Sequence, residues 1–503
     1  MESLWQDVQY ADIDHMYIRR SFTVDPERFG GLGDYFRELR DRGFHTIIIL
    51  DPALEINDTY TAYVRGRDAD IYIKWPDRES MPPGDYEEYN RTDMMGFVWP
   101  TWKTVFPDFF LNETESVWTS LVVDFWDELP FDGLWIDMNE PANFDTNGER
   151  PWNWPEDRPE EPWTLKCGNS SLDDPPYPTK AAYYYDGDNW RGRLSDKTLC
   201  MVGKQGPGGI YDHYDVHNLY GLSQTIATSK SLRTLFGEEK RSFLVTRSSY
   251  PGSGHYAARW LGDNTAAWND LRVSIIGMLE FNLFGIPYIG ADICGFFGDS
   301  PAELCKRWQQ LGAFYPYSRN HNHEDAEPQD PAYYGDEVAI PTREALLTRY
   351  TLLPYLYTLF HDAHVRGSTV VRPLHHEFPQ DATALAIEGQ FMWGPALIFS
   401  PVLDQGASVH DYYLPDAQWY DYYEGHAPID GDQHRNVAVD SDEPVHIQIR
   451  EGYIIPTQQP GINTNQSRQN PFGLKVALPR DQNPRRTRAE GVLFWDDGEL
   501  LGK

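Results

Sequence analysis

The chain has 503 residues, 40% of them hydrophobic and 24% charged, which is enough apolar surface for one large barrel with extra domains and excludes a disordered chain. Its 77 acidic residues outnumber 43 basic ones for a net charge of −34, a field that disfavours nucleic acid and anionic membrane surfaces while leaving neutral ligands unaffected. The start, MESLWQDVQY, has neither a basic n-region nor an apolar h-region.

In chain order, short strand-like runs alternate with helical patterns. Asp7–Asp14 (DVQYADID) reads as a strand, Leu32–Asp41 (LGDYFRELRD) as a helix and His45–Pro52 (HTIIILDP) as a strand. Phe131–Met138, Phe243–Ser249, Trp260–Asn264 and Tyr288–Gly295 follow, with Ala313–Asn322 a less regular candidate. Continuous apolar runs of this length suit strands buried on both faces, and their alternation with helices predicts parallel βαβ units. The most apolar segment, Ser274–Ala291, is interrupted by Glu280, Asn282 and Pro287, so it reads as buried barrel elements, not a membrane span.

Polar groups collect where these runs end. Asp12, Asp14, Asp51, Asp137, Arg247, Asp263, Asp292, Arg319 and His321 all stand at or just after a strand's C-terminal end. A lone Asp there often caps the next helix. Such groups at six successive strands instead predict the catalytic face of a (β/α)8 barrel. Two long excursions, 55–130 and 145–241, are expected to wall the cleft, the second carrying the Pro/Trp/Glu-rich piece Pro151–Trp163. Beyond Val371 the texture turns to short strands punctuated by Gly, Pro and Asp, an antiparallel β-sandwich pattern, and Gln458–Asn470 reads as a linker.

Two motifs carry chemistry. In GLWIDMNEPANF (Gly133–Phe144) a strand delivers Asp137 rigidly, with Glu140 and Pro141 behind it. In RWLGDN (Arg259–Asn264), Gly262 permits close backbone approach and Trp260 is expected to shelter Asp263, keeping it protonated for acid work. Two carboxyls in unlike settings suit glycoside hydrolysis, retention asking for ~5–5.5 Å between them and inversion for ~6.5–9.5 Å. The chain holds 17 Trp and 31 Tyr, most of them read as packing, some as faces for sugar rings.

With GADICGF (Gly290–Phe296) and YSRNHN (Tyr317–Asn322), these motifs resemble glycoside hydrolase family 31, most strongly its starch-digesting α-glucosidases and then its lysosomal one. The resemblance covers nearly the whole chain. It implies Asp137 as nucleophile, Asp263 as acid/base and Glu140 as a positioning carboxylate counted with the site. Asp51, Arg247 and His321 would hydrogen-bond the sugar, Arg247 also favouring the ionised Asp137. Trp135, Trp260, Phe296 and Trp99 would wall the pocket, with Asp292 and Met138 beside them. The four cysteines allow three pairings; spacing suggests Cys167–Cys200 and Cys294–Cys305, which the resemblance also implies.

The fold expected is therefore α/β: a (β/α)8 TIM-type barrel (residues 1–371) lacking its first strand, then a proximal antiparallel β-sandwich (372–456) and the start of a distal one (457–503). Neither metal nor cofactor is expected, since two carboxylates suffice. The expected partner is an oligosaccharide, with no nucleic acid and no membrane span in this chain; oligomeric state is unread. Five N-x-S/T sequons (Asn57, Asn90, Asn112, Asn169, Asn465) and the even cysteine count point to the secretory pathway, either extracellular or lysosomal. Two alternatives stay open: an inactive carbohydrate-binding relative, or a sibling acting on α-xylosides or glycoprotein glycans.

Overall fold

The computed structural model describes residues 6–176, 193–425, 427–439, 443–480 and 487–501. It divides into two compact units, Val8–Ala257 with Glu499–Lys503 (the N-terminal unit) and Met1–Asp7 with Ala258–Gly498 (the C-terminal unit).

The N-terminal unit repeats strand and helix: β1 (Val8–Ala11), α1 (Leu32–Asp41), β2 (His45–Leu50), α2 (Asn112–Glu128), β3 (Gly133–Ile136), α3 (Tyr220–Phe236) and β4 (Phe243–Thr246). The four strands pair in parallel in chain order, with registers Val8↔His45, Ile47↔Gly133 and Gly133↔Phe243. β2, sequence HTIIIL, is buried at every position but its first. Its β-branched run suits a strand covered on both faces, which a parallel sheet demands. Small residues on α3 admit α2 closely: Trp118 Nε1 donates to Thr228 Oγ1 at 3.0 Å, and the Thr119 and Ser231 hydroxyls lie 2.9 Å apart. Both long excursions thus end in a helix, α2 or α3, that packs as part of the strand–helix repeat. The irregular chain between strand and helix is correspondingly shorter than the spans 55–130 and 145–241 suggest.

The C-terminal unit opens with β5 (Ala258–Trp260), α4 (Trp268–Leu283), β6 (Ile289–Gly290), β7 (Asp292–Ile293), α5 (Ala302–Gly312), β8 (Arg319–Asn320) and the 31-residue α6 (Asp336–Arg366). β5 pairs in parallel with β6, and β7 with β8. Several runs are shorter than their sequence suggests. Tyr288–Gly295 breaks at Ala291, and Cys294 and Gly295 turn with positive φ (76° and 95°). Ala313–Asn322 yields only two strand residues; Phe314 and Tyr315 are instead buried core, and Pro316 lacks the N–H a ladder needs. Gly290 is obligatory, since a Cβ there would sit 1.8 Å from the Tyr317 carbonyl oxygen.

Eight strands follow: β9 (Val371–Arg372), β10 (Phe391–Trp393), β11 (Leu397–Ser400), β12 (Val409–Leu414), β13 (Gln418–Asp421), β14 (Pro428–Asp430), β15 (Gln433–Ala438) and β16 (His446–Arg450). They form an antiparallel sheet of order β9-β10-β11-β16-β13-β14 and a separate β12–β15 pair. Trp308, Phe314, Trp393, Phe399 and Ile447 share one core, so α5 and the sandwich are packed together, and Trp393 Nε1 donates to the Phe314 carbonyl at 3.0 Å. Gln458–Asn470 is not an open linker. It joins β17 (Ile454–Gln458) to its antiparallel partner β18 (Phe472–Val476) through a short helix at Thr464–Ser467, capped by Asn463.

Both expected disulfides are present, Cys167–Cys200 in the N-terminal unit and Cys294–Cys305 in the C-terminal one. Closing 33 residues of chain, the first is worth about 3–4 kcal/mol by loop entropy. Among the described residues no helix is long and apolar enough to cross a membrane, and no group of three or more His, Cys, Asp or Glu is placed to hold a metal ion.

Candidate functional site

The expected site residues fall on both units, and each set is described by itself. In the N-terminal unit they gather at the C-terminal ends of β2, β3 and β4. Asp51 follows β2, Asp137 follows β3 and Arg247 follows β4, because in-register parallel strands deliver their next residues to one edge. Arg247 organises the cluster. Its Nη1 lies 3.0 Å from Asp137 Oδ1, while Nε and Nη2 donate to Glu140 Oε1 and Oε2 at 2.8 and 3.0 Å. Nη2 also lies 3.2 Å from Met138 Sδ. The planar fork thus fixes Glu140 bidentately and keeps a third donor for Asp137, which Lys could not do. Met138 takes a positive φ of 55° and the Glu140–Pro141 bond is cis.

Asp51 is buried, and its Oδ1 has no hydrogen-bond partner among the described residues. Burial pushes its carboxyl well above the ordinary range; the charges of Asp137, Asp12 and Glu140 push the same way, against Arg247. A carboxyl that holds its proton more tightly when folded stabilises the fold below its unfolded value near 4 and loses that contribution as pH rises through the raised one. Asp51→Asn is therefore expected to melt higher than the parent at neutral pH, the gap closing as pH falls toward 4. Thermal melts across that range read it, and a variant less stable than the parent at pH 7 contradicts it. Trp135 is buried, its ring edge-on to Tyr10 at 6.2 Å. Trp99 lies edge-on to Phe144 (5.1 Å) and Trp152 (5.6 Å), with the Arg19 guanidinium 5.2 Å from its ring.

In the C-terminal unit, β5 ends at Trp260 and Gly262 adopts φ 79°, turning the chain into Asp263. Asp263 is exposed, not sheltered, and a face of Trp260 is engaged by the Arg319 guanidinium at 5.2 Å. The expectation that Trp260 buries this carboxyl is thereby corrected. Asp292 accepts from Arg319 Nε and Nη2 through Oδ1 (3.0 and 2.7 Å), leaving Oδ2 buried with no partner among the described residues. Phe296 stacks on His321 at 5.4 Å, and Gln329 Nε2 donates to the His321 carbonyl at 2.9 Å.

Sequence reading missed the carboxamides that tie these ends together. Asn139 donates to Thr246 Oγ1 at 2.9 Å and accepts from Ser248 N at 3.0 Å, joining the ends of β3 and β4. Asn264 spans the 292–296 turn, donating to the Asp292 carbonyl and accepting from Phe296 N. Ser21 Oγ bonds the backbone N–H and carbonyl of Asp51, both at 3.0 Å. Only the position of Asn139 and Asn264, each within two residues of a motif acid, could have flagged them.

Residues 2–359 match the TIM-barrel domain of glycosyl hydrolases family 31, and 367–455 match that family's C-terminal domain. The chain is 42% identical over 525 residues to human "Probable maltase-glucoamylase 2" (98% of this chain, 19% of that protein). It is 42% identical over 510 residues to human intestinal sucrase-isomaltase (98% and 26%). Mouse lysosomal α-glucosidase is 38% identical over 516 residues (98% and 49%). The chain thus spans about a fifth to a half of the length of these curated relatives. Among solved structures, the glucosidase II α subunit aligns with TM-score 0.81 at 26% identity, covering 99% of this chain and 47% of that one. The parallel strand–helix repeats, the antiparallel sheets and both domain matches agree: the chain belongs to glycosyl hydrolase family 31, with that family's TIM barrel followed by its C-terminal domain.

Proposed function

We propose that the chain is a retaining, exo-acting α-glucosidase that releases terminal non-reducing glucose from maltose-like and starch-derived oligosaccharides. The observation that carries this reading is the Arg247 fork, which holds Glu140 by two hydrogen bonds and forms an ion pair with Asp137 beside a buried, electrically stressed Asp51. Asp137 attacks the anomeric carbon as the glycosidic C–O bond breaks, and Asp263 gives its proton to the departing oxygen. The β-glucosyl ester so formed is opened by water, whose proton returns to Asp263, and two inversions yield α-glucose. The exposed setting of Asp263 suits a group that must trade protons with a leaving sugar and with water.

Glu140 acts as a positioning residue, aligning the guanidinium that aligns the nucleophile. Asp51, whose carboxyl burial pushes well above the ordinary range, hydrogen-bonds a sugar hydroxyl. Arg247 and His321 supply further hydrogen bonds; Trp135, Met138, Trp260 and Phe296 supply apolar walls; Asp292 fixes Arg319 beneath Trp260; Trp99 lies toward the next sugar. The division into 1–371, 372–456 and 457–503 is proposed with it. Two disulfides and five sequon asparagines, all exposed or partly so, support folding in the secretory pathway.

The test is turnover of p-nitrophenyl α-glucoside and maltose by the full chain, with proton NMR reading the first anomer released. α-Glucose first is the expected result. β-Glucose first overturns retention, absence of release overturns the hydrolase, and preference for an α-xyloside moves the chain to a different substrate.

A further inference from the structure

The lead-in to α3 carries two histidines that no step above uses. His213 opens a short helical turn (His213–Val216) and His217 opens the next (His217–Leu219), directly ahead of α3. Three contacts hold this lead-in against the site. Gly221, in the first turn of α3, lies so close to Ser248 that a Cβ there would stand 2.5 Å from Ser248 Oγ. Ser248 follows Arg247 and donates its N–H to Asn139, so the start of α3 is pressed against the ends of β3 and β4. Tyr220, wholly buried, donates its hydroxyl to the Pro107 carbonyl at 2.9 Å. His213 Nδ1 lies 2.6 Å from Gln205 Oε1, and the next backbone N–H along from Gln205, that of Gly206, donates to Asp108 Oδ2 at 2.6 Å.

The two rings meet edge to face, their centroids 5.1 Å apart, in unlike settings. His213 is fully buried. A carboxamide oxygen only accepts, so its Nδ1 carries the hydrogen, and its Nε2 has no partner among the described residues. Burial pushes this imidazole well below its ordinary range and a charge on His217 pushes the same way, so of the two it is the harder to charge. His217 is only partly buried. Its Nδ1 lies 3.1 Å from Asn218 Oδ1, which leaves Nε2 to take up a proton. Burial lowers its pKa, while the Asn218 bond and the charge of Glu140 raise it. Glu140, gripped by Arg247 at 2.8 and 3.0 Å, therefore acts on His217 as well.

From a histidine held at the ends of β3 and β4 within reach of the Glu140 charge, we infer that His217 is a second positioning residue for the Arg247–Glu140 fork, one whose own charge is switched by pH. A proton taken up at Nε2 adds a positive charge to that of Arg247. It favours the ionised form of Glu140 and, beside it on the same guanidinium, of Asp137. The nucleophile then stays charged further into acid than Arg247 alone would hold it. His213 supplies the neutral ring against which His217 rests. The consequence for the nucleophile rests on the hydrolase reading; the coupling of His217 to Glu140 does not.

The experiment titrates the full chain, carbon-13 labelled at the histidine ε1 position, by NMR between about pH 4.5 and 8. Loss of one signal in His217→Gln identifies the residue. Glu140→Gln, which keeps the side chain's shape, is expected to move the His217 midpoint about half a pH unit lower. A midpoint within about 0.2 of the parent's, or above it, overturns the coupling. The second arm is the pH profile of kcat/KM on p-nitrophenyl α-glucoside. His217→Gln is expected to carry the acid limb toward neutral pH, losing about two- to threefold more activity than the parent on descending that limb. Turnover scaled down equally at every pH, with the limb in place, overturns the positioning role. Melting curves check folding, and His217→Asn replaces His217→Gln where the latter does not fold. A parent without turnover sinks the hydrolase reading and leaves the NMR midpoint to decide the coupling; turnover with an unmoved midpoint sinks the coupling and keeps the hydrolase.

Discussion

Asp137→Asn is expected to lower turnover of p-nitrophenyl α-glucoside by about 10⁴-fold or more, the scale seen when a group that forms a covalent intermediate is removed. The change is nearly isosteric, so the Arg247–Glu140 fork should survive it and the protein should melt close to the parent. Azide then separates the two acids by stereochemistry. With the nucleophile gone, azide enters the vacated face and gives the β-glucosyl azide. In Asp263→Ala the β-glucosyl ester still forms on an activated substrate, and azide opening it gives the α-glucosyl azide. Identical azide products from both variants, or a loss of less than about tenfold in Asp137→Asn, would remove the two-step mechanism.

The second large effect is on stability. Asp292→Ala strips the carboxylate from Arg319, and both side chains are almost wholly buried (1% and 4% exposed). Breaking such a pair by removing one partner typically costs about 3–5 kcal/mol, because the remaining charge stays in a poor solvent. The melting midpoint should fall by about 3–5 °C in calorimetry of the full chain. The double replacement Asp292→Leu with Arg319→Met should recover most of that loss, since two apolar side chains of similar volume leave no buried charge. A double variant as unstable as the single one would show that packing against Trp260 and Tyr317, not charge, is what the pair provides.

The candidate site acids were legible in the sequence because each is written into a short motif at the end of an apolar run. β2 and β3 announce themselves by five and four successive buried residues, and Asp51 and Asp137 follow at once. The supports were not legible, because they bond to partners far along the chain. Asn139 reaches Ser248, 109 residues on, and Asn264 reaches Asp292, 28 residues on; no local period encodes either contact. The shelter expected for Asp263 failed for a related reason. Trp260 is its neighbour in sequence, but the ring face is engaged by Arg319, which comes from β8. Long β-strands were overread at 288–295 and 313–322: the first breaks at Ala291 and turns at Cys294 and Gly295, and in the second Phe314 and Tyr315 are buried core ahead of Pro316. The segment Pro151–Trp163 hid its order as well, since its anchors Phe97 and Trp102 lie in the preceding excursion.

The Arg247 fork also bears on the electrical sign of the proposed glucose pocket. One guanidinium stands against the carboxylates of Asp137 and Glu140, with Asp51 and Asp12 beside them, so acidic groups outnumber basic ones. A neutral sugar ring gains nothing from that surplus until positive character builds at its anomeric carbon. A ring-shaped amine that carries its charge permanently gains it at once, so protonated cyclic amines should outcompete their uncharged counterparts here, and raising the salt should narrow their advantage.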